Sequence, residues 1–215
     1  MTVDEVVVID YGMGNLLSVQ RGLEYCGASV TVSADHKVIL EASKVVLPGV
    51  GAFIDGMSEL NRQGLTETLK EVANKGVPLL GICLGMQMLL EESEEFGNSK
   101  GLGLISGNVI AIPMTTISGE PQKIPHIGWN ALVTPEEKNS WIGSLLKDIE
   151  PGEAGYFDHS YMASPSNLEH HIANCIYGGR TISAVIGNKN VFGCQFHPEK
   201  SGEVGLTILR NFLAL

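Results

Sequence analysis

Apolar segments of strand length alternate with amphipathic helical segments through the first 80 residues, and this alternation constrains the fold most strongly. The predicted strands are Val3–Asp10, Ser29–Ser33, Lys44–Leu47 and Val77–Leu80, and the predicted helices are Leu16–Cys26, with Asn15 as its N-cap, and Leu60–Asn74. Strands that alternate with helices pair in parallel through helical crossovers. The sequence therefore predicts a three-layer, doubly wound α/β fold with a mostly parallel sheet and helices on both faces.

The second half of the sequence changes character after Gly101, where β-like segments follow one another with turns between them. These segments are Asn108–Ile112, Trp129–Val133, His171–Tyr177, Thr181–Ile186 and Val191–Phe196, and a last helix is predicted over Ser201–Leu213. They predict a β-rich C-terminal extension of the same sheet, partly antiparallel. Because no repeat or linker interrupts the sequence, we expect a single domain over residues 1–215.

Composition and charge exclude several classes of function. The formal net charge of −10 repels a phosphate backbone, so nucleic acid is not an expected partner. No apolar stretch approaches the ~18 residues of a membrane span and no signal peptide is recognisable, so we expect a soluble, cytoplasmic protein. Cys26, Cys175 and Cys194 lie in apolar surroundings and are predicted core residues. No cysteine pair has metal-site spacing, and neither a metal nor a cofactor is expected.

The fourth cysteine, Cys83, lies in the segment Gly81-Ile82-Cys83-Leu84-Gly85 between a predicted strand and a predicted helix. This spacing is typical of a nucleophile elbow, where flanking glycines allow a sharp turn. The start of a helix favours the thiolate of Cys83, and the Leu84 N–H is oriented to stabilise an oxyanion. A buried cysteine beside two packing glycines is the alternative, which the segment alone leaves open.

A cysteine that performs acyl transfer needs a base, and the base needs a partner that orients it. His197 follows the predicted strand Val191–Phe196, at the carboxyl end where open α/β sheets form their sites. Pro198 holds His197 extended, so the carboxylate of Glu199 can reach its imidazole. The other histidines considered, His36 and the pair His170 and His171, are interpreted as structural.

Together these motifs make the chain similar to the class I, or triad, glutamine amidotransferases. The resemblance covers nearly the whole chain, in order, through Asp10–Asn15, Leu47–Gly51, Gly81–Gln87, Pro125–Asn130, His159–Tyr161 and Gln195–Gly202. It implies that Cys83 attacks the side-chain amide of L-glutamine and forms a thioester with release of ammonia. It also implies that His197 transfers the proton and that Glu199 orients His197.

The resemblance extends to residues around the nucleophile. It implies an oxyanion hole formed by the backbone near Val50 or Gly51 together with Leu84. It further implies that Gln87, Ser160 and Tyr161 contact the α-amino and α-carboxylate groups of glutamine. By contrast, the acidic run Glu91–Glu95 is predicted to be the solvated end of a helix.

Within that family, the chain is most similar to the subgroup that serves histidine biosynthesis. Those members form a heterodimer with a (β/α)₈-barrel cyclase and deliver ammonia to it directly. The resemblance places Asn15, Trp129 and Lys200 near the cyclase, although a core position is the other reading of Trp129. Asp158 stands where the subgroup usually has an apolar residue. The alternative function is therefore that of a paralogue that feeds ammonia to a sugar amidotransferase.

Two other functions share parts of the same pattern. A catalytically silent scaffold could keep the fold, but the presence of all three triad residue types speaks against it. A cysteine peptidase or γ-glutamyl hydrolase would share the elbow around Cys83 and would require an open cleft.

Overall fold

The computed structural model describes residues 5–136, 141 and 144–215. The described strands are β1 (Glu5–Ile9), β2 (Ser29–Ser33), β3 (Lys44–Leu47), β4 (Leu79–Ile82), β5 (Glu92–Ser93), β6 (Ser99–Lys100), β7 (Gly107–Ala111), β8 (His126–Ala131), β9 (Ala154–His159), β10 (Tyr161–Pro165), β11 (His171–Tyr177), β12 (Arg180–Asn188) and β13 (Val191–Cys194). The described α-helices are α1 (Leu16–Tyr25), α2 (His36–Leu40), α3 (Phe53–Arg62), α4 (Leu65–Asn74), α5 (Leu84–Met88) and α6 (Gly202–Leu213).

A seven-stranded sheet forms the centre of the fold in the order β11–β12–β13–β4–β3–β1–β2. Adjacent strands from β13 to β2 are parallel, whereas β12 is antiparallel to both of its neighbours. The predicted mostly parallel sheet with an antiparallel extension is therefore confirmed. Because β13 lies beside β4 in parallel register, the carboxyl ends of these two strands meet at one edge of the sheet.

Each face of the sheet has its own hydrophobic core, because successive side chains of a strand point to opposite faces. In β1, Val6 and Val8 belong to the core packed against α1 and α6, whereas Val7 and Ile9 belong to the core packed against α2 to α5. These two helical layers on a central sheet are the three layers that the sequence predicts.

The prediction of one helix over Leu60–Asn74 is wrong. Helix α3 begins at Phe53 and ends at Arg62, and α4 begins at Leu65. Gly64 separates them because it adopts a φ of 71°, which an α-helix does not accommodate. Helix α2 was not predicted, and Asn15 precedes α1 without a side-chain capping hydrogen bond.

The β-rich second half does not extend the central sheet throughout, which corrects a further part of the prediction. Strand β7 belongs to a four-stranded sheet in the order β10–β7–β5–β6, and β8 pairs with β9 in an antiparallel two-stranded ribbon. The side chain of Val109 in β7 packs into the core on the α2–α5 side, and β7 pairs with β10 and β5 rather than with β11. Within the described ranges, every helix is too short or too polar to cross a bilayer.

Candidate active site

The elbow predicted at Cys83 is present between β4 and α5. Cys83 has φ 54° and ψ −110°, a strained conformation for a residue with a Cβ atom. A Cβ at Gly81 would lie 2.6 Å from the carbonyl oxygen of Gly85, and a Cβ at Gly85 would collide with the carbonyl oxygen of Leu47. Both glycines are therefore required by the close approach of backbone around the turn.

Hydrogen bonds hold the elbow against the neighbouring strand. The N–H of Cys83 donates to the carbonyl of Cys194 at 2.8 Å, and the carbonyl of Cys83 accepts from the N–H of Gln87 at 3.2 Å. Since β13 ends at Cys194, the chain that continues beyond it brings His197 to the same edge of the sheet as Cys83. The side-by-side arrangement of β4 and β13 thus positions both candidate catalytic residues.

His197 and Glu199 form a buried pair beside the nucleophile. Their Nδ1 and Oε1 atoms lie 2.9 Å apart, and their side chains are 5% and 1% exposed. Burial by itself would lower the pKa of His197, but the hydrogen bonds that the protonated ring donates to Cys83 and Glu199, together with their negative charges, raise it to about 9. The raised pKa therefore favours a protonated imidazole at His197, with Nδ1 engaged by Glu199 and Nε2 left for Cys83.

The backbone of His197 is fixed as firmly as its ring. Its N–H donates to the carbonyl of Tyr156 at 2.9 Å, and its own carbonyl accepts from the hydroxyl of Ser201 at 2.6 Å. The Ser201 hydroxyl also accepts from the N–H of Tyr156 at 2.9 Å. Strand β9 and the start of α6 thus hold the candidate base in place.

An open cavity of about 260 Å³ brings most of the predicted site residues together. Its lining comprises Val50, Gly51, Cys83, Leu84, Gln87, Glu95, Pro125, Asp158, His159, Ser160, Tyr161, His197 and Lys200. Glu199 lies behind His197, outside the lining. Asn15 and Trp129 also lie outside it, and the Trp129 side chain, at 60% exposure, is not the core aromatic that the sequence allowed.

Tyr11 supports the segment that was predicted to form the oxyanion hole. Its hydroxyl donates to the carbonyl of Pro48 at 2.9 Å, and burial, followed by the charge of Cys83, raises its pKa. A Cβ at Gly49 would lie 2.6 Å from this hydroxyl, so the Pro48–Gly51 segment packs tightly on it. No role was predicted for Tyr11, although it lies in the motif Asp10–Asn15 that carries the resemblance.

Glu95 is a second residue whose place the sequence did not reveal, and the predicted helix end over Glu91–Glu95 is wrong. Part of this run forms β5, which pairs in parallel with β7, and Glu95 points to the cavity. The Oε2 atom of Glu95 accepts the N–H of Phe53, the first residue of α3, at 2.7 Å. The acidic residues look alike in sequence, and only the pairing of the strand distinguishes Glu95.

The amide of Gln87 is held by the protein. Its Nε2 atom donates to the carbonyl of Tyr161 at 3.0 Å and to Oε1 of Gln195 at 3.1 Å. Gln195 in turn directs its Nε2 atom at Sγ of Cys83, 3.9 Å away. Gln87 therefore connects the cavity wall at Tyr161 to the surroundings of the nucleophile. Among the described residues, no group of three or more His, Cys, Asp or Glu side chains has a metal-binding arrangement.

Comparison with known proteins agrees with this geometry. The family model for glutamine amidotransferase class-I matches residues 7–215. The chain therefore belongs to the class I glutamine amidotransferase family.

Two similar proteins are subunits of imidazole glycerol phosphate synthase. The chain is 51% identical over 210 residues to imidazole glycerol phosphate synthase subunit HisH 1 of Legionella pneumophila (strain Lens), covering 98% of this chain and 99% of that protein. It is 46% identical over 208 residues to subunit HisH of Geobacillus sp. (strain WCH70), covering 97% and 95%. A chain in the structure of PurLQS from Thermotoga maritima has the same fold, with a TM-score of 0.72, 20% identity and 99% coverage of both chains.

Proposed function

We propose that the chain is the glutaminase subunit of an imidazole glycerol phosphate synthase and hydrolyses L-glutamine to glutamate and ammonia. The observation that carries the proposal is the buried His197–Glu199 pair beside a strained Cys83 at the wall of an open cavity. The similarity to HisH subunits over nearly the full chain supports the pathway.

The reaction begins when the Cys83 thiolate attacks the side-chain carbonyl carbon of glutamine. The oxyanion that develops accepts hydrogen bonds from the Leu84 N–H and from a backbone N–H near Val50 or Gly51, and each such donor is worth about 10²–10³ in rate. The His197 imidazolium then protonates the leaving nitrogen, and ammonia departs as the thioester forms. In the second half, neutral His197 takes a proton from water, whose oxygen attacks the thioester and releases glutamate.

The rest of the cavity suits the α-amino and α-carboxylate groups of glutamine. Glu95 and Asp158 supply negative charge for the α-ammonium. Gln87, Ser160 and Tyr161 provide polar groups on the wall between them.

The ammonia passes to a second subunit, a (β/α)₈-barrel cyclase that forms a heterodimer with this chain. The outward face of the β8–β9 ribbon is suited to such a contact because Ile127 and Trp129 expose 50% and 60% of their surface beside the cavity. Trp129 packs edge-on against Tyr156, with ring centroids 6.0 Å apart, so it presents a rigid aromatic anchor. Asn15 and Lys200 are assigned to the same contact.

A second candidate is a paralogue that supplies ammonia to a sugar amidotransferase. Asp158 favours it, because this exposed carboxylate lies on the outward face of β9, opposite Ile127 in the ribbon. A carboxylate at this position would select a partner surface of different charge from the surface that an apolar residue would contact.

Glutamate release by the purified chain, with and without the cyclase and its nucleotide ligand, distinguishes these functions. We expect slow hydrolysis alone, strong stimulation by the liganded cyclase, and loss of both in Cys83→Ala. Hydrolysis that requires Cys83 but ignores the cyclase would favour the sugar-amidating paralogue. A chain that never hydrolyses glutamine, alone or with the cyclase, would contradict the glutaminase assignment.

A further inference from the structure

The β8–β9 ribbon has two faces with different chemistry. Ile127 and Trp129 point outward, whereas His126 and Asn130, which alternate with them along β8, point inward. His126 is opposite His159 of β9 in the antiparallel register, and both imidazoles are buried. This inner face therefore contains two buried titratable groups, neither of which has a part in the triad chemistry.

The hydrogen bonds between these residues have a single possible direction when both rings are neutral. The carbonyl of Tyr161 only accepts, so Nδ1 of His159, 2.7 Å away, must carry the proton. The Nε2 atom of His159 then accepts from Nδ1 of His126 at 3.0 Å. The Nε2 atom of His126 accepts in turn from the amide of Asn130 at 3.2 Å, and that amide also donates to the carbonyl of Ile176 at 2.9 Å.

Burial favours these neutral forms. It lowers the pKa of His126 to about 4. The pKa of His159 is also lowered to about 4, mainly by burial and with smaller effects of the charges of His126 and His197, against the raising effect of the hydrogen bond to the Tyr161 carbonyl. The ring of His126 is stacked between Phe157 and Tyr177, with centroid distances of 4.9 and 4.1 Å. Because His159 is neutral, His197 is the one protonated histidine among the described residues that line the cavity.

The carbonyl that accepts the last hydrogen bond of this series belongs to Tyr161, in the wall of the substrate cavity. Tyr161 lines the cavity, and its carbonyl accepts from His159 on one side and from Gln87 on the other. Gln87 bonds to Gln195, whose amide points to Cys83. A shift of the Tyr161 carbonyl would therefore disturb Gln87, whose side chain lines the same cavity.

We propose that His126 and His159 are positioning residues for the glutamine site, His126 holding His159 in the tautomer that fixes the Tyr161 carbonyl. The inference rests on the proposed glutaminase function. Without the donor of His126, the buried Nε2 of His159 lacks a partner, and a proton that moved to it would turn Nδ1 into an acceptor facing a carbonyl. The cavity wall at Tyr161 would then shift, while Cys83 and His197 stay in place.

Two alkylating probes separate the glutamine site from the nucleophile. A diazoketone analogue of glutamine must bind in the substrate cavity before it alkylates Cys83, whereas iodoacetamide requires only the thiolate. The variant His126→Phe keeps the aromatic stack and removes the donor, and His126→Asn keeps a donor near the position of Nδ1. Tyr177→Phe is the matched control, because it keeps the stack on His126 and loses only a hydroxyl that donates to the carbonyl of Lys123.

We expect His126→Phe to raise the inhibition constant of the diazoketone by about tenfold, the effect of one lost buried hydrogen bond, while the iodoacetamide rate stays within about twofold. His126→Asn should restore most of the affinity, and Tyr177→Phe should match the parent chain. An unchanged inhibition constant in His126→Phe, or an equal loss of both reactivities, would overturn the positioning role. An unmodified chain whose Cys83 the diazoketone does not alkylate would instead contradict the proposed function.

The tautomers can be read in the unmodified chain, so the proposal stays testable if His126→Phe fails to fold. Nitrogen-15 NMR of the imidazoles at neutral pH should show His126 and His159 protonated on Nδ1 and bare on Nε2. A proton on Nε2 of His159, or on both of its nitrogens, would contradict the inferred direction of the hydrogen bonds.

Discussion

The pairing of Glu199 with His197 makes a quantitative prediction for the variant Glu199→Gln. Glutamine has the same shape, and its amide oxygen can still accept the hydrogen bond from Nδ1 of His197, so the variant removes mainly a charge. The side chain at this position is 1% exposed, and water therefore screens that charge poorly. The effect should appear in the ionisation of His197.

The structure gives the direction of the change. The pKa of His197 is raised to about 9 against burial by Cys83 and Glu199, each through a hydrogen bond and a charge. Because Glu199 raises this pKa through its charge, we expect its loss to weaken the imidazolium by about 1.4 kcal/mol, or one pH unit. Since the active form needs protonated His197, activity in the parent chain persists until the pH approaches 9 and is then lost. In Glu199→Gln the loss should begin about one pH unit lower.

The assay is the pH profile of kcat/KM for glutamine hydrolysis in the complex, from about pH 6 to 10, because this parameter reports ionisations of the free enzyme and substrate. Glu203→Gln is the matched control, since Glu203 is an exposed carboxylate that pairs with Arg210 in α6. The ionisation of glutamine itself is common to all three chains, so the difference between profiles isolates His197. An alkaline limb that stays in place in Glu199→Gln, or moves equally in Glu203→Gln, would refute this account of the pair.

Three further predictions follow from individual contacts. Gly85→Ala drives a Cβ into the Leu47 carbonyl, so we expect a loss of about 1–3 kcal/mol in the free energy of unfolding, measured with urea. Glu95→Gln can still accept the Phe53 N–H and loses only charge, so KM for glutamine should rise about tenfold with kcat nearly unchanged. Trp129→Ala should weaken cyclase binding by about 30-fold in calorimetric titration, with an unchanged unfolding midpoint because the ring is 60% exposed.

Features of the site that depend on local spacing could be predicted from the sequence. The close contact that requires glycine at position 81 lies within the elbow itself, because a Cβ there would approach the carbonyl of Gly85, so the pattern around Cys83 indicates the turn locally. The His197–Glu199 contact lies within three residues, and proline between them restricts the backbone. The parallel strands were equally clear because a buried strand is a continuous apolar run.

Features that depend on tertiary pairing could not be predicted in the same way. Gly64 breaks the helical pattern at Leu60–Asn74, and a single glycine within a periodic run does not by itself show whether the helix ends there. Glu95 reaches the cavity only because β5 pairs with β7. Tyr11 supports a segment 37 residues away, and that distance leaves no periodic signal in the sequence.

The central claim is that Cys83 forms a covalent γ-glutamyl thioester during turnover, and acid quenching tests it most directly. The complex would be stopped with acid while it hydrolyses radiolabelled glutamine, and the denatured chain digested and mapped. We predict label on the peptide that contains Cys83, released by hydroxylamine and missing in Cys83→Ala. Label on another peptide, or glutamine hydrolysis that persists in Cys83→Ala, would contradict the account.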